Sequence, residues 1–323
     1  MEPITEQNQP KCTSLESAYV ANNDEIDLID LFKALWRGKW LIIVITFIFA
    51  VGAVVFSLSL PNIYKADVLL SPTESSQGGG LSKMAGQLGG LAALAGVNLG
   101  GTEASQTELA VQVMKSRQFI ENFIDKHGLL VTLMASKGWD LSNNLLTIDE
   151  DIYDPITKKW IREPKGLRGA KPTAQEAFEV FNQDVLSVTQ DKESGLYRVS
   201  VKFYSPYLAK DWVTWLVEDI NKVMRERTIN ETTQNLSYLN TQLKKTAVTD
   251  MQSTFYKLIE EQTKSLMLAE VQEEFVFKIV DPAVVPEVKN GPQRALICIL
   301  GTLIGGVLGV VVVLFNFAFR KKQ

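Results

Sequence analysis

Residues 78–101, GGGLSKMAGQLGGLAALAGVNLGG, are the densest glycine stretch of the chain. Glycine-rich loops bind phosphates when backbone N–H groups converge and a lysine and hydroxyl reach the phosphoryl oxygens and Mg²⁺. That chemistry needs G-x-x-x-x-G-K-[ST]. Here Lys83 follows Leu81-Ser82 and no Gly-Lys pair exists, nor does a G-x-G-x-x-G fingerprint. A plain Gly/Ser linker fits poorly as well, because Leu81, Met84, Leu88, Leu91, Leu94 and Val97 would be exposed. Several recur at three- or four-residue spacing, so the choice lies between an apolar loop and a loose apolar helix weakened by roughly 1 kcal/mol per glycine.

Other residues invite chemistry and are weighed the same way. Asp149-Glu150-Asp151, with Asp154 nearby, has the carboxylates of a metal or glycosyltransferase acid cluster. The pattern is short and common, and a solvated loop is the better reading. His127 is the single histidine, which excludes a multi-histidine metal centre, and its position at a predicted helix C-terminus suits capping. Trp139 and Trp160 could stack on sugar rings, although buried core is favoured. Neither a nucleophile elbow nor zinc-ligand spacing occurs. No catalytic, cofactor-binding or metal-ligating residues are therefore expected.

Net charge is −4 over 323 residues, so the basic footprint of a nucleic-acid binder is missing. Two uncharged runs dominate the hydrophobic content, WLIIVITFIFAVGAVVFSLSL at 40–60 and ALICILGTLIGGVLGVVVVLFNFAF at 295–319. Each is long enough to cross the roughly 30 Å hydrocarbon core of a bilayer as a helix. The first starts too late and is too long for a signal peptide, and a retained anchor is expected. Lys33, Arg37 and Lys39 precede it, and Arg320, Lys321 and Lys322 follow the second. The positive-inside rule then puts both termini in the cytoplasm and about residues 61–294 outside. Cys12 falls in the tail and Cys298 in the second span, so the exported part has no disulfide to rely on.

The segments follow from this frame. Residues 1–22 are predicted to be a disordered cytoplasmic tail. At 23–39, Ile26, Leu28, Ile29, Phe32, Leu35 and Trp36 fit one face of an amphipathic juxtamembrane helix, a plain helical extension of the span being the alternative, with Trp36 and Trp40 as interfacial anchors. Residues 61–205 are predicted to form an α/β base that includes the glycine-rich loop. Within it come a strand at 63–71, one helix at 107–130, an irregular loop at 136–172, a short helix at 174–183, and strands on either side of DKESG. Tyr197, Val199, Val201 and Phe203 alternate with Arg198, Ser200 and Lys202, the period of a half-buried strand. The class is α+β, a sheet covered by helices on one side. Ser205-Pro206 signals a helix start, and no Gly or Pro follows until after Asp281. The helical extension spans 206–274. Both its ends lead back to the membrane, so it must fold as a hairpin. The turn is expected near 245–249, where Thr249-Asp-Met-Gln252 forms a capping box, with Thr228-Ile-Asn-Glu231 as a rival. A return strand and Pro-rich segment fill 275–294, and 320–323 is a cytoplasmic tail. In the second span Gly301, Gly305 and Gly309 repeat GxxxG on one face, with Gly306 adjacent, a pattern that lets helices approach closely in lipid.

Together, DEIDLIDLFKALWRGKW before the first span, the α/β base running into a long helical region, and DPAVVPEVKNGPQRALICILGTLIGGVLG entering the second span resemble the polysaccharide co-polymerases, in particular the Wzz-type chain-length determinants of lipopolysaccharide O-antigen. The family's membrane-proximal proline-rich motif and following glycines correspond to Pro282, Pro286 and Pro292, then Gly305, Gly306 and Gly309. The usual Ser-Pro-Lys reads Gly291-Pro292-Gln293 here, with Arg294 one place late. The resemblance implies a non-enzymatic protein of the bacterial inner membrane with its main domain in the periplasm. It implies a homo-oligomeric ring that sets the modal length of a polymer made by a separate O-antigen polymerase on lipid-linked glycan. A co-polymerase for capsule or exopolysaccharide synthesis and export is the alternative, and a two-span periplasmic sensor a remote one. In such a ring the glycine-rich loop would lie low in the base, facing a neighbouring protomer, the ring interior or lipid.

Overall fold

The structure, a computed structural model, describes residues 35–73, 106–245 and 249–321. The expected tail at 1–22, most of the juxtamembrane helix and the whole glycine-rich loop 78–101 lie outside the described residues. In chain order the elements are α1 (Lys39–Ser59), β1 (Tyr64–Pro72), α2 (Gln106–Met114), α3 (Arg117–Lys126), α4 (Leu130–Ala135), β2 (Ser136–Asp140), β3 (Leu145–Ile148), β4 (Tyr153–Asp154), β5 (Lys159–Trp160), α5 (Ala174–Val180), β6 (Leu186–Gln190), β7 (Tyr197–Phe203), α6 (Pro206–Lys245), α7 (Thr249–Val271), β8 (Phe277–Asp281) and α8 (Arg294–Lys321). The chain divides into two units, residues 1–55 with 295–323, and residues 56–294. Among the described residues, α1 and α8 are the two helices long and apolar enough to cross a membrane.

The second unit is built on a four-stranded antiparallel sheet ordered β6-β7-β1-β8. Register is set by pairs that place apolar side chains on one face, Ala66 opposite Val201, Val68 opposite Val199 and Leu70 opposite Tyr197. That face is buried under α6, through Trp212, Val213, Leu216 and Ile220, and joins a core to which α3 adds Phe119, Ile120, Phe123 and Ile124. On the other face Arg198 and Asp67 form an ion pair.

The helix expected over 107–130 is two helices in the structure. Ser116 is extended (φ −71°, ψ 150°) and its hydroxyl accepts from Phe119 N, so it caps α3 rather than continuing α2. The irregular loop expected at 136–172 contains two hairpins, β2–β3 and β4–β5. Their turns are made by aspartates. Asp140 accepts from Ser142 N and from the Asn143 amide, and Asp154 from Ile156 N and the Thr157 hydroxyl. Strands of two to five residues are too short to show a period.

α6 runs unbroken through Thr228, which removes that site as a restart, and α7 begins at Thr249. The less exposed stripe of α6, Ile229, Thr232, Leu236 and Leu239, is the side that α7 packs along.

Two polar side chains fasten this unit from within. Asn221 of α6 is buried, with its Oδ1 accepting from Val276 N and Phe277 N, both at 2.9 Å, and its Nδ2 donating to Phe277 O at 2.9 Å. The carboxamide therefore satisfies the start of β8 as a neighbouring strand would. Glu176 of α5 is also buried. It takes Arg162 Nη1 at 2.7 Å and Nη2 at 3.0 Å, while Arg162 Nε donates to Ala170 O at 2.9 Å. The clasp ties residues 162–170 to α5, and Glu176 also completes a capping box with Thr173.

Asn221→Ala leaves three backbone groups unmatched. A loss of about 3 kcal/mol or more is expected, read as a lower urea midpoint of tryptophan fluorescence in the full chain. For the clasp, the Arg162 hydrogen bonds hold the Glu176 carboxyl below its ordinary range. A depressed carboxyl contributes stability above the unfolded-state value and loses it as pH falls through the folded one. Glu176→Gln should therefore cost about 3 kcal/mol at pH 7 and flatten the decline of stability on acidification below pH ~4. An equally steep acid decline in the variant would contradict this assignment.

Candidate functional site: a glycine seam between two apolar helices

Within the first unit, α1 and α8 meet along one line. A Cβ added at Gly301 would lie 2.5 Å from Ala53 Cβ, at Gly305 2.6 Å from Phe49 Cβ, and at Gly309 3.1 Å from Ile42 Cα. One turn further the roles exchange, because a Cβ at Gly38 would lie 2.5 Å from Val313 Cγ1. Gly305, Gly309 and Val313 are buried. Contacts therefore step up α8 as they step down α1, as antiparallel helices require. Each contact sets a glycine in or at the start of one helix against a residue of the other, and the missing Cβ is what allows the approach. Gly306 is off this line, with Thr46 Oγ1 at 3.8 Å from a Cβ built there. The GxxxG spacing was legible in the sequence. The matching contribution of Gly38 was not, since a single glycine carries no period.

Pro282, Pro286 and Pro292 lie between β8 and α8. Pro282 is exposed, whereas Pro286 and Pro292 are half-buried, and the Gly291–Pro292 peptide is cis. This segment is bonded to the residues that follow α1. Ile63 N donates to Gly291 O at 2.9 Å, and Asn290 N to Ile63 O at 2.8 Å. Arg294 Nη2 donates to Asn62 Oδ1 at 3.1 Å. The chain leaving one apolar helix is thus hydrogen-bonded to the chain about to enter the other. Trp36 and Trp40 are exposed, and Lys39 Nζ stands 5.1 Å above the centre of the Trp36 ring.

The remaining candidates separate. Asp149 pairs with Lys137 and Asp154 makes a turn, and no metal-holding group of His, Cys, Asp and Glu occurs among the described residues. His127 closes α3, yet its ring does not cap. It stacks on Trp215 (4.5 Å between centroids, 3° between planes), and its Nε2 is 2.9 Å from Asp219 Oδ2, so it joins α3 to α6. Asp219 also takes Lys126. Trp139 and Trp160 are half-buried rather than core. Trp139 stands edge-on to Tyr64 at 5.6 Å and donates to Asn144 Oδ1, and Trp160 meets Tyr153 at 5.0 Å.

The family model of the Wzz chain length determinant protein matches residues 24–127. The model of the "G-rich domain on putative tyrosine kinase" matches residues 238–318. The ferric enterobactin transport protein FepE of Escherichia coli (strain K12) is 23% identical over a 362-residue alignment that covers 94% of this chain and 92% of FepE. Among solved structures, a full-length bacterial polysaccharide co-polymerase is 14% identical with a TM-score of 0.37, covering 91% of this chain and 99% of its own. A fragment of WzzB, a polysaccharide co-polymerase from Salmonella Typhimurium, is 10% identical with a TM-score of 0.27, covering 71% and 99%.

The seam makes a direct prediction. With Cys12 and Cys298 replaced by serine, Gly38→Cys and Val313→Cys place two Cβ atoms about 3 Å apart, near disulfide reach. Oxidation in detergent should cross-link them within one chain. Adding Gly305→Leu, which drives a side chain into Phe49, should cut the yield severalfold. An undiminished yield would show that the glycines are dispensable for the approach.

Proposed function

The chain resembles the Wzz-type polysaccharide co-polymerases, and from that premise we propose that it regulates polysaccharide chain length as a scaffold rather than a catalyst. It sets the modal length of lipopolysaccharide O-antigen made by a separate membrane polymerase on lipid-linked glycan. The observation that carries the reading is the chain-length-determinant match over 24–127, a stretch that takes in the first apolar helix, the central strand β1, α2 and the core helix α3.

In this reading the protein sits in the bacterial inner membrane. α1 and α8 cross the bilayer side by side, with both termini in the cytoplasm and residues 61–294 in the periplasm. The uncharged runs and their basic flanks support that topology. Trp36 and Trp40 hold the interface, and the segment of Pro282, Pro286 and Pro292 joins the periplasmic domain to the second span. Copies of the chain assemble side by side into a ring. A pre-packed pair of spans suits such a scaffold, because each protomer then enters the assembly as one unit, with its remaining span surface open to a neighbour or to the polymerase.

Two observations favour other readings. The match at 238–318 to a domain named from a tyrosine kinase fits a co-polymerase for capsule or exopolysaccharide. The name of the relative FepE points to ferric enterobactin transport. One experiment separates all three. Deleting the gene should abolish the modal band of O-antigen on a silver-stained gel, and the wild-type gene should restore it. Unchanged O-antigen with altered capsule, or with lost growth on ferric enterobactin, would replace the reading.

A further inference from the structure

The side of α6 turned away from α7 begins in a groove and continues as an unusual surface. The groove, about 390 Å³, lies between α3 and α6. Phe119, Phe123 and Val223 give it apolar lining, and the Gln118 and Asn122 amides line it with the ions. Those ions are paired, Lys126 with Asp219 and Lys222 with Glu226 at 3.9 Å within the groove, and Arg227 with Glu231 of the next turn of α6 at 2.9 Å. Along α6, Val223, Arg227, Asn230, Gln234, Ser237 and Thr241 follow at steps of three or four, so they share one face. All six are exposed, and Tyr238 beside them is 64% exposed.

The chemistry of this face is selective. Between residues 228 and 243 the only charged residue is Glu231, already paired with Arg227. The exposed positions hold amides, hydroxyls and one phenol. Solvent-facing helix positions are ordinarily filled by Lys, Glu and Ala, whereas Asn, Thr and Ser each cost roughly half a kcal/mol against Ala. The sequence therefore accepts weaker helix propensity to present neutral groups, most of which both donate and accept hydrogen bonds. With each of the groove's ions paired, an anionic or cationic partner finds no unpaired counter-charge along it. An uncharged polyhydroxyl chain matches it, with hydroxyls to the amides and the apolar face of a ring to Tyr238.

We propose that the groove and the α6 face from Val223 to Thr241 form one elongated contact surface for an extended, uncharged segment of glycan. It is about 27 Å long at 1.5 Å per residue, several sugar rings rather than one. The inference rests on the chain-length reading above and names where that polymer is touched. Binding over such a length strengthens as the glycan grows, until the surface is filled.

The test uses the full-length protein in detergent, and polysaccharide released from the host strain's lipopolysaccharide by mild acid and fractionated by length. Wild type should bind in calorimetry, more tightly with longer fragments up to a plateau. Asn230→Ala/Gln234→Ala/Tyr238→Ala should weaken binding about tenfold or more with particle mass unchanged by light scattering. Alanine raises helix propensity, so the variant keeps its fold. Lys257→Ala/Lys264→Ala on α7 should bind as wild type. Equal affinity in the triple variant overturns the proposal, and so does a loss of copies from the particle, which would make this face a contact between protomers. Absence of wild-type binding where polymer length still depends on the gene overturns this inference alone. Polymer length independent of the gene overturns the function it rests on.

Discussion

A chain that sends two long helices away from its sheet has to bring the backbone home and fasten it, and Asn221 is where that happens. α6 leaves directly after β7, and α7 ends at Val271. The returning residues reach the sheet as β8, an edge strand whose later residues are exposed. One buried carboxamide satisfies three backbone groups at the first point of return. A hydrophobic side chain could fill that volume, but it would leave the strand's N–H groups orphaned. β8 then pairs with β1, and the Pro-rich segment beyond it pairs with Ile63. Each later contact depends on the strand arriving in register.

The same device recurs elsewhere in this unit. Glu176 holds Arg162, and through it the carbonyls of Gly169 and Ala170. Asp219 gathers His127 and Lys126 at the end of α3. In each case a helix supplies one well-satisfied carboxylate or amide, and a loop, a returning strand or the end of another helix is bonded to it. The apolar face of the sheet supplies cohesion. These polar junctions determine which loop goes where, and they use directionality that hydrophobic burial does not have.

How far the sequence revealed this depends on the kind of signal. β7 was legible because its sequence alternates: Tyr197, Val199, Val201 and Phe203 are buried while Arg198 and Lys202 are exposed, although Ser200 between them is buried too. α6 was legible from Ser205-Pro206 and the absence of Gly and Pro beyond it. The small hairpins after Ser136 were not, since their turns are made by aspartates that also resemble an acidic site. The break before α3 was hidden because Ser116 sits in a helical pattern that resumes in nearly the same phase. Asn221 and Glu176 were invisible as structural residues. A polar side chain on a helix reads as surface, and only its long-range partners show otherwise. For the apolar helices, the glycine face could be read, but the residues it meets could not.

The exchange of roles along that glycine seam restricts how the two helices can move. If α8 slid one turn toward the start of α1, Val313 would pass beyond Gly38 and Gly309 would face it, leaving two glycines with a gap between them. If α8 slid the other way, Val313 would meet Ile42, and two branched side chains would occupy the space of one. Neither neighbouring register packs, so the pair has one axial setting and resists the one-turn ratchet by which packed helices often signal. The two helices are built to act as a single rod. Any stroke along their axis would carry both together.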